Sequence, residues 1–378
     1  MGDSRSDILI VGGGLAGCAA AYFLAREGQD VLMIEQHDLN TLASGSNSGS
    51  LHAQIPYEPF VAEGESFARA FQPVVPLMLQ SIALWQDLER ELAVDFEVNI
   101  SGGLLVADSE QQMQVVRAKV KLEQQAGLPI EEVSKAELLG LAPYLSDKVV
   151  GGSYCTAEGK ANPLKAGPAL AKAAQLHGAR ILRNIRLRHL TTSPEGFTAE
   201  TTGGTFSARR VLNCGGADAR RIAEMVGLDL EIEGFPIQVN ITEPVEPLVK
   251  HLIYSAGDRL TLKQTRHGGI VIGGGWAARI NAETGRPEVE PASIPPNLKA
   301  ATNLVPALEG VQLLRTWPAI VNGTKDWRPI LGEAPRIPGF FTCIFPWMGF
   351  TAGPISARLV ADLMMGRNPP NSFKQFFL

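Results

Sequence analysis

Asp7-Ile8-Leu9-Ile10-Val11-Gly12-Gly13-Gly14-Leu15-Ala16-Gly17 is the stretch that decides the fold. The short unbroken apolar run before the glycines predicts a parallel strand buried on both faces. The glycines follow at once in G-x-G-x-x-G spacing, and Cys18 to Gly28 predicts an alanine-rich helix stopped by glycine. Val31 to Ile34 is the next predicted strand, and it ends at Glu35. Strand, glycine turn, helix, strand and acid in this order predict a dinucleotide site. Gly12 permits the tight turn, Gly14 lets backbone approach a pyrophosphate, and Gly17 lets helix and strand pack closely. The amides of Leu15 and Ala16 open the helix, where free N–H groups and the dipole favour anions. Glu35, with Gln36 beside it, is placed to accept hydrogen bonds from an adenosine ribose. An acid there favours FAD or NAD over NADP, whose 2′-phosphate it repels.

The rest of the chain narrows the choice. No second G-x-G-x-x-G follows a strand, so one dinucleotide fold leaves roughly 340 of the 378 residues for everything else. That favours a single tightly held FAD. The length predicts two or three domains' worth of chain. A net charge of -5, with no long basic run, argues against nucleic acid as the main partner. Cys18, Cys155, Cys214 and Cys343 are scattered, so no local zinc or ferredoxin-type site is expected, and a reducing, cytoplasmic compartment is. No apolar run approaches ~18 residues, so no membrane span is expected, nor is a signal peptide. The Pro-rich stretch from Pro287 to Pro296 reads as a surface loop.

Downstream of Glu35, Ala43-Ser44-Gly45-Ser46-Asn47-Ser48-Gly49-Ser50-Leu51-His52 resembles the FAD-dependent D-amino acid oxidase-like superfamily. Glycine oxidases, sarcosine oxidases and the β-subunits of heteromeric proline, hydroxyproline and opine dehydrogenases belong to it. The resemblance implies that Ser44, Gly45, Ser46, Asn47, Gly49, Ser50 and Leu51 run past the FAD phosphates and flavin. Further matches are Gly151–Tyr154 leading to Pro163, the turn at Cys214, Gly215 and Gly216, the strand Gly268–Gly273, Arg315-Thr316-Trp317, Thr324-Lys325-Asp326, and Pro329 to Gly332. Gly349, Phe350, Thr351, Ala352 and Gly353 resemble the turn and helix that approach the flavin pyrimidine end. The implied fold is α/β: a Rossmann-type FAD-binding domain of the glutathione-reductase type, with a second α+β domain on a mostly antiparallel sheet. Residues 1–85, 146–225 and 316–378 are expected in the first, and 86–145 and 226–315 in the second.

Departures from the family matter as much. No Cys lies in Ala319–Asn322 and no His in Ala157–Pro163, where relatives attach flavins covalently, so FAD is expected to be non-covalent. Val271 stands where monomeric sarcosine oxidases carry an oxygen-activating Lys. Val321 stands where glycine oxidases carry an Arg for the substrate carboxylate. Both point to a dehydrogenase rather than an oxidase. No electron exit is visible within the chain, so the resemblance implies partner subunits carrying FAD, FMN or iron–sulfur centres. The tail, Ser372 to Leu378, docks either on its own domain or on such a subunit.

The chemistry implied is hydride transfer from the α-carbon of an amine or amino acid to flavin, for which the protein supplies placement and electrostatics. His52 is the candidate polar group on the flavin side. Arg315, Lys263 and Arg266 are candidate carboxylate anchors, and Tyr254, Gln264, Trp317 and Trp347 candidate lining residues. The leading expectation is the catalytic β-type subunit of a heteromeric dehydrogenase for N-alkyl amino acids, proline derivatives or opines. The alternatives are a stand-alone peroxide-forming oxidase and a non-catalytic FAD-bearing assembly subunit.

Overall fold

In the computed structural model, which describes residues 4–378, Arg5–Val11 pairs in parallel with Val31–Ile34 on one side and Gly204–Asn213 on the other. The first three positions of the expected 1–85 segment fall outside the described residues. Phe340–Ile344 and Arg180–Leu182 extend the parallel core, and Ile330–Glu333 closes one edge antiparallel. Val31–Ile34 is buried at every position, because helix Leu15–Ala25 covers one face of this sheet and the strands Leu187–Ser193 and Gly196–Thr201, with the short helix Ala219–Glu224, pack on the other. Helix Leu15–Ala25 is buried almost all round. Its alanines let Ala166–Leu176 and Gly349–Met364 pack close on either side, and Gly28, at φ 79°, turns the chain out of it.

The second sheet has eight strands, ordered Leu313–Gly323, Glu233–Pro244, Gly269–Gly273, Thr261–Gln264, Leu252–Ser255, Gly103–Ala107, Gly151–Cys155 and Ile130–Ser134. All neighbours are antiparallel except Leu252–Ser255 and Gly103–Ala107. The architecture is the expected α/β plus α+β arrangement. Its seams differ in detail from the expected ones. Gly151–Cys155 and most of Leu313–Gly323 (residues 316–323), expected in the FAD-side segments, hydrogen-bond into the second sheet. Their partners are remote in sequence, so local motif matching gives no sign of the pairing. The boundary at 85/86 lies inside helix Val74–Leu92, which packs its buried face on Gly349–Met364. The Pro-rich stretch is not a loop throughout: Pro295 and Pro296 open helix Ile294–Leu304, where missing amides cost nothing.

Among the described residues no single helix is long and apolar enough to cross a membrane. The bent pair Glu65–Phe71 and Val74–Leu92 reaches the length only jointly. The tail folds back on the first sheet: Phe373 and Phe376 are buried, and Leu378 N–H donates to the Leu331 carbonyl at 2.8 Å.

Candidate active site

Register decides what meets at the sheet edge. Val11 lies opposite both Ile34 and Asn213, so the turns at Gly12 and Cys214 and the acid at 35 leave the sheet together. Gly12 has φ 111°, and a Cβ there would enter the Cys214 carbonyl. A Cβ on Gly17 would enter the Gly12 carbonyl, and one on Gly14 would come 2.8 Å from Ser44 Oγ. That hydroxyl accepts from Leu15 N–H at 3.0 Å. The helix start carries no side chain of its own as a cap and no acid in its first turn, so its positive pole stays open to an anion. Glu35 is buried, with one oxygen accepting from Gly13 N–H at 2.7 Å and the other from His37 N–H at 2.8 Å. Each oxygen keeps a lone pair. Gln36 donates to Asp218 at 3.3 Å, and Gly215 N–H donates to Asn213 Oδ1 at 3.0 Å. Gly216 turns at φ 57°. An open helix pole, a cradle that any Cβ would fill and a buried acid fit FAD, which when bound supplies a two-electron hydride acceptor.

The Ser/Gly-rich stretch forms the short helix Ala43–Ser46, and then the strand Ser50–Leu51, paired with Gly159–Lys160. Asn47 braces it, donating to Ser44 O at 2.6 Å and accepting from Gly49 N–H at 2.7 Å. Ser46 O accepts from Trp317 Nε1 at 2.8 Å. Gly45 packs its missing Cβ against the Asn40 carbonyl. Helix Gly349–Met364 begins against the same stretch. Thr351 Oγ1 accepts from His52 N–H at 2.9 Å and donates to Ser50 O at 3.2 Å. One position on, Ala352 is fully buried, and Gly353 faces Leu15 and Ala16.

Asn47 and Ser48 form the wall between two cavities. The first, about 620 Å³, is lined by His52 and Tyr254 among Phe235, Trp327, Trp347 and Phe350. Its two cations are already matched: Lys119 Nζ lies 2.5 Å from Glu123, and Arg259 Nε 3.5 Å from Glu58 at the mouth. The second, about 990 Å³, is lined by Lys160, Lys250, Lys263, Arg266 and His267.

The structure brings His52 and Tyr254 together, Nδ1 to Oη at 2.6 Å. Burial, with the nearby Lys263 charge, pushes the imidazole down to about 3, so it is neutral. Lys263 is not a solvated surface charge. It is 2 % exposed, its Nζ is 2.5 Å from Ser50 Oγ, and burial, with Lys160, lowers it to about 7. It faces the second cavity. Val271 is its cross-strand partner, so the face that lacks Lys at 271 still receives an amine from the neighbouring strand. Gln264 is saturated: Oε1 accepts from Leu248 and Val249 N–H, and Nε2 donates to three backbone carbonyls. It holds a loop rather than a ligand. Arg315 lies over the Trp317 ring and lines neither cavity. Arg266 pairs with Asp95 on the surface. None of the three anchors expected from sequence reaches the first cavity.

The reading of the sequence missed Gln54 and Lys119, buried in the wall of that cavity, and Glu158 and Glu123, buried and hydrogen-bonded to them. Lys119 and Glu123 stand at i, i+4 on helix Glu110–Gln125, a spacing that looks like an ordinary solvated pair. Glu158 lies in the stretch 157–163, where no local pattern marks the acid as buried.

The family described as FAD dependent oxidoreductase, DAO, matches residues 7–363. Glycine oxidase of Geobacillus kaustophilus is 28% identical over 95% of this chain and 93% of its own. An opine oxidase subunit of Rhizobium meliloti is 30% identical over 89% of this chain and 87% of its own. The crystal structure of the Geobacillus kaustophilus glycine oxidase superimposes with a TM-score of 0.87 at 26% identity, covering 99% of this chain and 98% of that one. With the glycine cradle, the acid at 35 and the two-sheet fold all in place, this chain belongs to the DAO family and is an FAD-dependent oxidoreductase.

Proposed function

We propose that the chain oxidises a secondary amine or amino acid in the first cavity, as the catalytic subunit of a heteromeric dehydrogenase, holding FAD non-covalently. The α-hydrogen leaves with its electron pair as hydride, and the amine becomes an imine that water hydrolyses. One observation carries the reading. The stretch Ala43–His52 separates an aromatic cavity from a cationic one, so a group lying along it is approached by substrate from one side and by an acceptor from the other. Likeness to the opine oxidase subunit supports a partner protein at the second cavity. Among the described residues, the first cavity has no unpaired buried cation, which favours a substrate held by aromatic packing over one clamped by an internal arginine.

A second reading, a stand-alone oxidase, draws on Lys263. A buried amine beside Val271 supplies the charge that stabilises reduced oxygen species. Two measurements separate the readings. Anaerobic bleaching of the flavin by N-alkyl amino acids, proline derivatives or opines is expected. Mixing the reduced protein with aerated buffer in a stopped-flow should then give reoxidation slower than with an artificial dye. Reoxidation in air as fast as with dye sinks the dehydrogenase reading and supports the oxidase.

A further inference from the structure

The first cavity sorts its charges by depth. At its inner wall Lys119 Nζ lies 2.5 Å from Glu123 and 3.1 Å from the Gln54 oxygen, and both partners are buried with it. Beyond them Glu158 accepts from Ala53 N–H at 2.6 Å, Gln54 N–H at 2.9 Å and Gln54 Nε2 at 2.8 Å. An anion pushed to that end meets acids and a lysine already paired, and it loses its water without gaining a partner. The remaining cation is Arg259, at the mouth. Its backbone is fixed. The Arg259 carbonyl accepts from Trp276 Nε1 at 2.7 Å, and Ser255 Oγ shapes the turn before it by accepting from Gly257 and Asp258 N–H at 3.1 and 3.0 Å. Gly274 passes so close that a Cβ there would lie 2.6 Å from the Arg259 carbonyl. The guanidinium is not fixed. The side chain is 62 % exposed, and its ion pair with Glu58 is long, Nε to Oε1 at 3.5 Å. Among the described residues neither terminal nitrogen has a hydrogen-bond partner. A guanidinium holds a carboxylate best through two parallel N–H bonds, and Glu58 makes only the one long contact. Two residues along the chain is Thr261, the cross-strand partner of Tyr254. That is roughly 7 Å of extended chain, which a long arginine side chain spans. Thr261 also pairs with Gly273, and Gly273, Gly274 and Gly275 line the cavity without side chains.

We propose that Arg259 is a specificity-determining residue whose guanidinium takes the substrate carboxylate at the mouth of the first cavity, in exchange for Glu58. This rests on the reading of that cavity as an amine site. It supplies the carboxylate anchor that Arg315, Lys263 and Arg266 do not. The substrate class follows: an amino acid whose carboxylate faces the mouth and whose apolar substituent lies inward, among Phe235, Trp327, Trp347 and Phe350. Glu58 is exposed and stands in the first turn of helix Tyr57–Glu63. Released, it returns to water at little cost, because an exposed ion pair contributes about 0–1 kcal/mol, and it still favours the helix start. Asp258 lines the same mouth. Two acids beside one arginine mean that net charge does not draw a carboxylate in. The forked geometry of the guanidinium does, and an amine without a carboxylate gains nothing from it.

Benzoate and benzamide share a ring for the aromatic wall and differ in charge, so they test the site without turnover, by isothermal titration calorimetry on the FAD-loaded protein. Benzoate should bind about fivefold tighter than benzamide or better. Arg259→Met should bring the two within about twofold of each other, with benzamide bound as before. Glu58→Gln should tighten benzoate about threefold in the parent, and by less in the Arg259→Met background, where only repulsion is relieved. In anaerobic stopped-flow, Arg259→Met should raise the half-saturating concentration of an N-methyl amino acid about tenfold and leave the limiting rate of flavin reduction within about twofold. The amide of the same amino acid should be unaffected. An unchanged preference for benzoate in Arg259→Met overturns the assignment. So does an equal gain from Glu58→Gln in both backgrounds, or an equal loss for the amino acid and its amide. A flavin that no amine bleaches overturns instead the reading of the cavity, and the benzoate result separates the two failures.

Discussion

Single residues in this protein take their chemistry from burial. Lys263 is fully enclosed, and desolvation holds it near 7 rather than at the ordinary 10.5. Between those values the unfolded chain binds the extra proton, so this residue's contribution to stability rises with pH through the window. Lys263→Met should therefore be more stable than the parent at pH 7, by an amount on the order of a few kcal/mol. The gain should shrink towards pH 10.5, as calorimetry across that range will show; a gain independent of pH would contradict a buried, depressed lysine. Gly14 makes a different demand. Its φ of -76° suits any residue, so Gly14→Val should fold. Yet the new side chain would displace Ser44 from Leu15 N–H and crowd the phosphate turn. Most of the purified variant should lack flavin, read from the ratio of flavin to protein absorbance, and full occupancy would refute the phosphate-turn assignment.

Elements are joined at the site by few polar ties. Helix Gly349–Met364 meets the Ser/Gly-rich stretch through Thr351, whose hydroxyl serves His52 N–H and Ser50 O. The Thr351 carbonyl accepts from Ser81 Oγ at 2.5 Å and Trp85 Nε1 at 3.0 Å, tying in helix Val74–Leu92. Thr351→Val keeps shape and volume but orphans two buried backbone groups. Each unsatisfied group costs about 1–3 kcal/mol, so urea denaturation should show a loss of that size or twice it, with the m-value unchanged. A change below about 0.5 kcal/mol would mean that water reaches the junction. Parallel pairing explains why the motif residues converge. Glycine turns separated by some 200 positions share one edge because their strands point the same way and lie in register.

At the scale of the whole molecule, the site is built from stretches of chain that belong to both sheets and are far apart in sequence. The start of helix Leu15–Ala25, the glycine turns and the 44–52 stretch face a space that FAD should complete. Removing FAD should therefore lower the melting temperature. A ligand at a hundredfold its Kd contributes about 2.7 kcal/mol, a shift of several degrees readable by differential scanning fluorimetry. Equal melting of the two forms would mean that the cradle folds without regard to its ligand.

Local pattern carried the glycine turn, the helix, the acid at Glu35 and the class of fold, because each rests on residues adjacent in sequence with backbone demands that few alternatives satisfy. It also placed His52 and Tyr254 among the candidates. What it could not place were Lys263, Gln264 and Arg315, cations and an amide whose surroundings depend on whether solvent reaches them. It passed over Glu158, Gln54, Lys119 and Glu123 for the same reason. A Lys and a Glu four apart on a helix look alike whether they are bathed in water or sealed against a cavity. Only tertiary structure decides that, since desolvation is set by what packs on the far side, and here the far side is contributed by strands more than a hundred residues away.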